Sequence, residues 1–294
     1  MSTNSTGILI LLGIIAIALF GGAKGASNNG LFSVGIQTPE QKQQNIGQKI
    51  EEVQYQVDNL KIKVQIEEDK KSQSKYKGLV TLAYVNRSTD PTQEYVTLRN
   101  SYNAKENISI TGWMLRSTSS GVSTTIPKAT YLFFAGIANS EDNIILTNNE
   151  TLYLVTGISP NGASFKVNKC SGYLDQFQTF VPYLNNNCPL PRYEDLSSIP
   201  KTTANNRCFD YIDSMSSCRI QTETPTQYLG AECNNFISKK VNYPACVDAH
   251  KNDKDFYGNE WRVYLKRGAS LWKDRRETIV LYDNDGKIVD SLTY

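Results

Sequence analysis

The spacing of hydrophobic residues along this chain changes three times, and each change predicts a different element. From Gly7 to Ala23 the run GILILLGIIAIALFGGA carries no charge. At roughly 17 residues it reaches the lower limit for crossing a bilayer, and it is slightly long for the core of a signal peptide. Small residues at Ala23-Lys24-Gly25 and Gly25-Ala26-Ser27 would admit cleavage, but MSTNST places no basic segment before the core. Residues 1–25 are therefore read as a single-pass anchor, the chain's expected contact with a membrane. Lys24 lies on the wrong side of the run for a body held outside, a single charge that the cysteines below outweigh.

Residues 26–39 mix Ser, Asn, Gly and Gln as a flexible spacer does. A stalk is expected over 40–76, because Ile46, Ile50, Val53, Val57, Leu60 and Val64 alternate by fours and threes and share one stripe of a helix. With Ile50, Val57 and Val64 at the a positions, the flanking sites hold Gly47, Gln54, Lys61, Lys49, Gln56 and Lys63. A parallel homomer would gain no ion pairs there, so two readings stay open: weak self-association through residues 46–64, or a stripe laid on the body or on the membrane surface. Leu60, Ile62, Val64 and Ile66 also alternate with polar neighbours as a strand would, which leaves the end of the helix open.

From Lys77 the pattern becomes short β-branched and aromatic runs between Gly, Asn, Ser and Pro, which predicts a mainly β body of antiparallel strands, a sandwich or barrel. The expected strands are GLVTLAYV, EYVTLRN, ISITGWMLRS, ATYLFFAG, NIILT and TLYLVTG, then WRVYLK, ETIVLYD and KIVDSLTY. Val96, Leu98, Trp113 and Leu115 are the expected core. Gly112 before Trp113 would relieve a clash with a facing strand while the indole fills the centre.

Between the two groups of strands lie all six cysteines: Cys170, Cys188, Cys208, Cys218, Cys233 and Cys246. None forms a CxxC pair, the usual source of two sulfurs for one zinc or iron-sulfur centre. An even count behind an export-like N-terminus predicts three disulfides in an oxidising compartment, stabilising a loop-rich segment too poor in apolar runs to build its own core. Six cysteines allow 15 pairings, and spacing alone does not choose among them.

The runs EYVTLRN and ISITGWMLRS, with the Gly112-Trp113 pair, followed much later by SLWKDRRETIVLYDNDGKIVDSLTY with Trp272 and the Asn284-Asp285-Gly286 turn, resemble the lamin-tail domain family. That resemblance covers about residues 78–168 and 260–294. It implies an immunoglobulin-like antiparallel β-sandwich over 77–294, with residues 169–259 as a cysteine-rich insertion, similar to membrane-anchored bacterial proteins that carry such domains on their surface. The acid that the family places just before the penultimate strand is displaced here, with Arg275, Arg276 and Glu277 in its neighbourhood.

Charge and chemistry narrow the function. A net charge of +2 over 294 residues argues against bulk attraction to nucleic acid, so any basic surface must be local. The one local cluster is Lys266, Arg267, Lys273, Arg275 and Arg276 around Trp272. It suits a polyanion such as nucleic acid or an anionic cell-wall glycopolymer, or else protects a solvated strand edge. His250 is the only histidine, and no GxSxG, HExxH, Walker or dinucleotide motif accompanies it. Asp283-Asn284-Asp285-Gly286 starts like a calcium loop but lacks its later acids and fits a tight turn. The expectation is a non-catalytic surface protein without cofactor or metal, its body extracellular, its partner an unidentified protein or glycopolymer. The carboxylate pairs Glu67-Glu68 and Asp253-Asp255 lie in charged segments and read as solvated, so an enzyme would have to use His250 or other carboxylates of the insertion.

Overall fold

The computed structural model describes residues 39–101, 106–222 and 228–294. The expected anchor at 7–23 and nearly all of the spacer at 26–39 lie outside these residues. Among those described, no helix is long and apolar enough to cross a membrane. The chain divides between Lys63 and Val64, so its helix and its body are taken in turn.

Helix α1, Pro39–Ser72, has 34 residues, which at 1.5 Å each makes a rod about 50 Å long. Helix prevails over the alternating strand pattern at 60–66. Lys61, Lys63 and Gln65 fill the intervening positions and favour helix, and a helix satisfies its backbone without a partner strand. Ile46, Ile50, Val53, Leu60 and Val64 are each 50–63% exposed.

The body is mainly β. Its strands are β1 (Val80–Asn86), β2 (Tyr95–Asn100), β3 (Ile108–Ser109), β4 (Met114–Ser117), β5 (Ser123–Thr125), β6 (Ile145–Leu146), β7 (Thr151–Val155), β8 (Phe165–Asn168), β9 (Tyr257–Tyr264), β10 (Thr278–Tyr282) and β11 (Ile288–Thr293). They form a five-stranded sheet β1-β2-β7-β9-β8, a four-stranded sheet β11-β10-β4-β5 and the small pair β3-β6. Val80, Leu82, Val96, Leu98, Leu152, Leu154, Trp261 and Val263 of the first sheet share one buried cluster with Leu115, Ile279, Leu281 and Val289 of the second. Trp113 lies in the same cluster, 1% exposed. The two sheets thus stack as a sandwich.

Three expectations need correction. First, the sandwich is not wholly antiparallel, because β7 pairs parallel with β9. After β7 the chain goes to the edge position of β8, and β9 fills the place between them.

Second, ISITGWMLRS is two strands. Gly112 takes φ +86°, and a Cβ there would stand 2.8 Å from Oδ1 of Asn284, so the chain bends before Trp113. What Gly112 makes room for is therefore the β10–β11 turn, where Asn284 Nδ2 donates to the Thr111 carbonyl at 3.3 Å. That turn is closed by Asp283, which accepts from the Asp285 and Lys287 amides at 2.9 Å.

Third, ATYLFFAG is not a strand beyond isolated bridges at Ala129 and Thr130. Its apolar residues are divided between two cores. Tyr131 meets Trp261 edge-on at 4.8 Å, while Phe133 is buried with the cysteine-bearing segment.

The sandwich also buries ions that its sequence disguises. Lys166 on β8 pairs with Glu150, both side chains 6–7% exposed. The other Glu150 oxygen accepts from the Trp261 indole at 3.2 Å and the Thr147 amide at 3.1 Å. The Lys166 ammonium lies 4.9 Å from the centre of the Trp261 ring. Glu150 thus has donors on both oxygens, and the ammonium has a carboxylate and a ring face, which offsets part of the cost of desolvating the pair.

Candidate binding surface

Residues 169–256 leave the sandwich between β8 and β9, which are antiparallel neighbours. The segment holds helices α2 (Asn206–Ser214), α3 (Ala231–Lys240) and α4 (Tyr243–His250), with short 3-10 turns at Ser171–Gln176, Pro191–Tyr193 and Thr203–Asn205. The expected loop-rich segment without a core therefore has helices and a core. Phe180, Leu184, Ile199, Ile212, Phe236, Val247 and Phe256 are buried together with all six cysteines. These residues are scattered singly or at helical spacing, so no apolar run announces them. The floor of this core is the outer face of the sheet: Val155, Phe165, Val167 and Tyr264.

The bridges are Cys170–Cys246, Cys188–Cys218 and Cys208–Cys233, with Cα separations of 5.9, 5.2 and 5.7 Å, inside the usual range. The first joins the start of the segment to α4. The third joins α2 to α3. Gly172 is a structural requirement that sequence reasoning missed. A Cβ there would stand 2.3 Å from the Cys218 sulfur and 2.8 Å from the Asn185 carbonyl, and the tripeptide Cys-Ser-Gly was the only available signal.

His250 ends α4 with both ring nitrogens engaged, Nδ1 at 2.8 Å from Asp253 and Nε2 at 3.0 Å from Glu194. Burial lowers its pKa, but the two carboxylates outweigh that and hold it above the ordinary imidazole value. Asp253 and Asp255 both reach Lys169, at 2.9 and 2.7 Å, and its ammonium holds both carboxyls below their usual range. The group clamps the 191–194 turn and the end of α4 to the end of β8. Neither ring nitrogen is free to serve a nucleophile.

The basic cluster lies on the segment between β9 and β10. Lys266, Arg267, Lys273, Arg275 and Arg276 are exposed, and none forms an ion pair among the described residues. Trp272 does not stand among them as a stacking platform. It is 6% exposed and belongs to the sandwich core with Leu271.

Two buried carboxylates fasten the segment. Glu94 accepts from the Leu271 and Trp272 amides at 2.7 and 3.1 Å. Glu277, directly before β10, accepts from the Ser117 hydroxyl at 2.8 Å and the Thr278 amide at 2.9 Å. Burial pushes the Glu277 carboxyl up, but these donors prevail and hold it below the usual range.

Of the sequence-selected residues, the structure brings together the cysteines in one core and Val96, Leu98, Trp113 and Leu115 in another. It leaves the five cations on an exposed segment with their tryptophan turned inward. Among the described residues no group of three or more His, Cys, Asp and Glu is arranged to hold a metal ion. The exposed aromatic rings of the insertion are Phe177, Tyr183, Tyr193 and Tyr228, each 62–75% exposed. No protein-family model matches the chain, and no curated protein matches it.

Proposed function

We propose that this chain is a membrane-anchored surface protein of the lamin-tail type, whose immunoglobulin-like sandwich displays a disulfide-bonded recognition insertion outside the cell. Residues 7–23 are the anchor in this reading, and the body is an adhesive or structural module without catalytic turnover. The observation that carries it is the set of three disulfides closing a separate core on the outer face of the sheet. Bridges of this kind persist in oxidising spaces, and a rigid sandwich with an aromatic-bearing graft suits recognition. The exposed stripe of α1 is where a second copy would pair.

The test is mass spectrometry of protein from native membranes, alkylated without reduction. The proposal expects three intact bridges and a retained N-terminal peptide. Six alkylated cysteines would place the body in a reducing compartment and overturn it.

A second reading has its own observation, the five exposed cations without ion-pair partners. They would tether an extracellular polyanion such as nucleic acid through phosphate contacts, with affinity that falls steeply as salt rises. Charge reversal of Lys273, Arg275 and Arg276 should then abolish salt-sensitive DNA binding. A protein-adhesion module would be indifferent to it.

A further inference from the structure

The insertion covers only one half of the outer face of the five-stranded sheet. Over β8, β9 and the end of β7 it buries Phe165, Val167, Tyr264 and Val155, and the half-buried Tyr95 of β2 packs against its rim. The rest of that face, over β1, β2 and the remainder of β7, carries tyrosines. In register across the strands run Tyr84, Thr97, Tyr153 and Arg262, with Tyr95 on the row beside them.

The rings form a continuous series. Tyr84 to Tyr95 is 6.1 Å between centroids, and Tyr95 to Tyr153 is 5.8 Å. Tyr84 is 54% exposed, and Tyr95 and Tyr153 are half-buried. Arg262, 2% exposed, lies over the Tyr153 ring at 4.2 Å. Its Nη2 donates to the Tyr183 carbonyl at 3.1 Å and to Glu260 at 2.9 Å. The guanidinium thus fixes Tyr153 from one side and the wall of the insertion from the other, and the Tyr183 ring projects from that wall, 73% exposed.

We propose that this shelf, Tyr84, Tyr95 and Tyr153 beside the Tyr183 wall, binds an uncharged stretch of an extracellular glycan. The inference rests on the outward-facing reading above and names the ligand class of that surface. Three properties of the shelf select a sugar. Its apolar area comes from tyrosines, each of which joins a face that can stack on a sugar ring to a hydroxyl that can hydrogen-bond with it. It is held in shape before any ligand arrives, since Arg262 and the strand register set the rings. It is also nearly neutral: the charged outward positions of β1, β2, β7 and β9 are Arg99, Glu260 and Arg262, and Glu260 neutralises Arg262. A nucleic acid would need cations for its phosphates, and those lie on the 266–276 segment instead. Tyr84 and Tyr153 are two strand spacings apart, about 10 Å, comparable with two linked pyranose rings.

The test uses the full chain in detergent with three probes: chitohexaose, cellohexaose and a mixed-sequence single-stranded DNA oligonucleotide. Ligand-observed saturation-transfer NMR and calorimetry supply the affinities. The expected result is binding of at least one oligosaccharide, weakened about tenfold by Tyr84→Ala or Tyr153→Ala, as loss of one stacked ring implies. Tyr84→Phe should keep most of it. Tyr84 is exposed on its strand, so Tyr84→Ala should leave the thermal midpoint unchanged and report on binding alone.

No binding of either sugar would overturn the proposal, as would sugar binding indifferent to both alanine variants. DNA binding lost in those same variants would give the shelf to nucleic acid and overturn it equally. Intact bridges in the alkylation experiment with no sugar binding would refute the shelf alone. Free cysteines there would refute the outward reading whatever the sugars do.

Discussion

The Cys170–Cys246 bridge offers the sharpest test of how the insertion is held. Replacing both cysteines with alanine removes the covalent link between the first turn of the insertion and α4. The formal loop spans 76 residues. The Cys188–Cys218 bridge shortens it to 18 residues from Cys170 to Cys188 and 28 from Cys218 to Cys246. Chain entropy for a loop of that reduced length corresponds to about 4 kcal/mol of stability. Cys170 and Cys246 are 0% and 3% exposed, so alanine leaves a small void but no unpaired hydroxyl.

The assay is urea unfolding followed by two signals. Tryptophan fluorescence reports the sandwich, because Trp113, Trp261 and Trp272 all lie in its core. Far-ultraviolet dichroism also reports the helices. Because Phe165, Val167 and Tyr264 are at once strand residues and the floor of the insertion, both transitions should move together. With a slope of about 2 kcal/mol per molar, the midpoint should fall by about 2 M urea. A fall of less than about 0.5 M, in a parent protein shown to hold the bridge, would refute the reasoning.

Three more outcomes follow from the same geometry. Gly172→Ala should leave Cys188 and Cys218 reactive to an alkylating agent, because the added methyl would stand 2.3 Å from the Cys218 sulfur and displace it; a fully bridged variant would contradict this. Trp113→Ala should destabilise the sandwich by about 3–5 kcal/mol, the usual cost of emptying a buried tryptophan site, measured as a loss of urea midpoint at constant slope.

The His250 clamp should titrate. Its folded pKa is raised above the unfolded value, so its contribution is fully present below the unfolded pKa and is lost as pH rises through the folded pKa. Proteolysis near residues 191–194 should therefore become faster across that window, and His250→Gln should remove the pH dependence. A pH dependence that survives in His250→Gln would exclude the histidine as its source.

What the sequence revealed follows the range of the interactions involved. Trp113 could be read because alternation and an adjacent glycine are local signals, and an even set of cysteines without CxxC pairs declared itself by composition. The run at 129–136 misled because apolarity does not say which core a residue enters, and this segment serves two. Lys166, Glu94 and Arg262 look like surface residues. Each is buried only because a partner distant in sequence awaits it: Glu150 for Lys166, the Leu271 and Trp272 amides for Glu94, the Tyr183 carbonyl for Arg262. The tyrosine shelf was hidden for the same reason, since strand order and not spacing brings Tyr84 and Tyr153 to either side of Tyr95. Trp272 shows the converse error. Basic neighbours suggested an exposed ring, whereas the Glu94 carboxylate holds its backbone so that the indole points into the core.

The insertion and the shelf have one origin in the topology. Antiparallel neighbours such as β8 and β9 need only a tight turn between them, and here that turn is replaced by residues 169–256. The ladder between the strands survives, and the neck is closed by the Lys169 amide on the Phe256 carbonyl at 2.8 Å. A segment entered and left at one point can grow without disturbing the sandwich, but its apolar side must be covered, and the nearest surface is the outer face of the strands from which it springs. That footprint takes β8, β9 and the end of β7 at Val155, reaches the rim of Tyr95, and leaves β1 and the Tyr153 part of β7 open beyond Arg262. The same arginine thus ends the covered half of the sheet and orders the uncovered half. Any change in the insertion that displaces the Tyr183 carbonyl should therefore alter binding on the shelf without touching a tyrosine of the shelf itself.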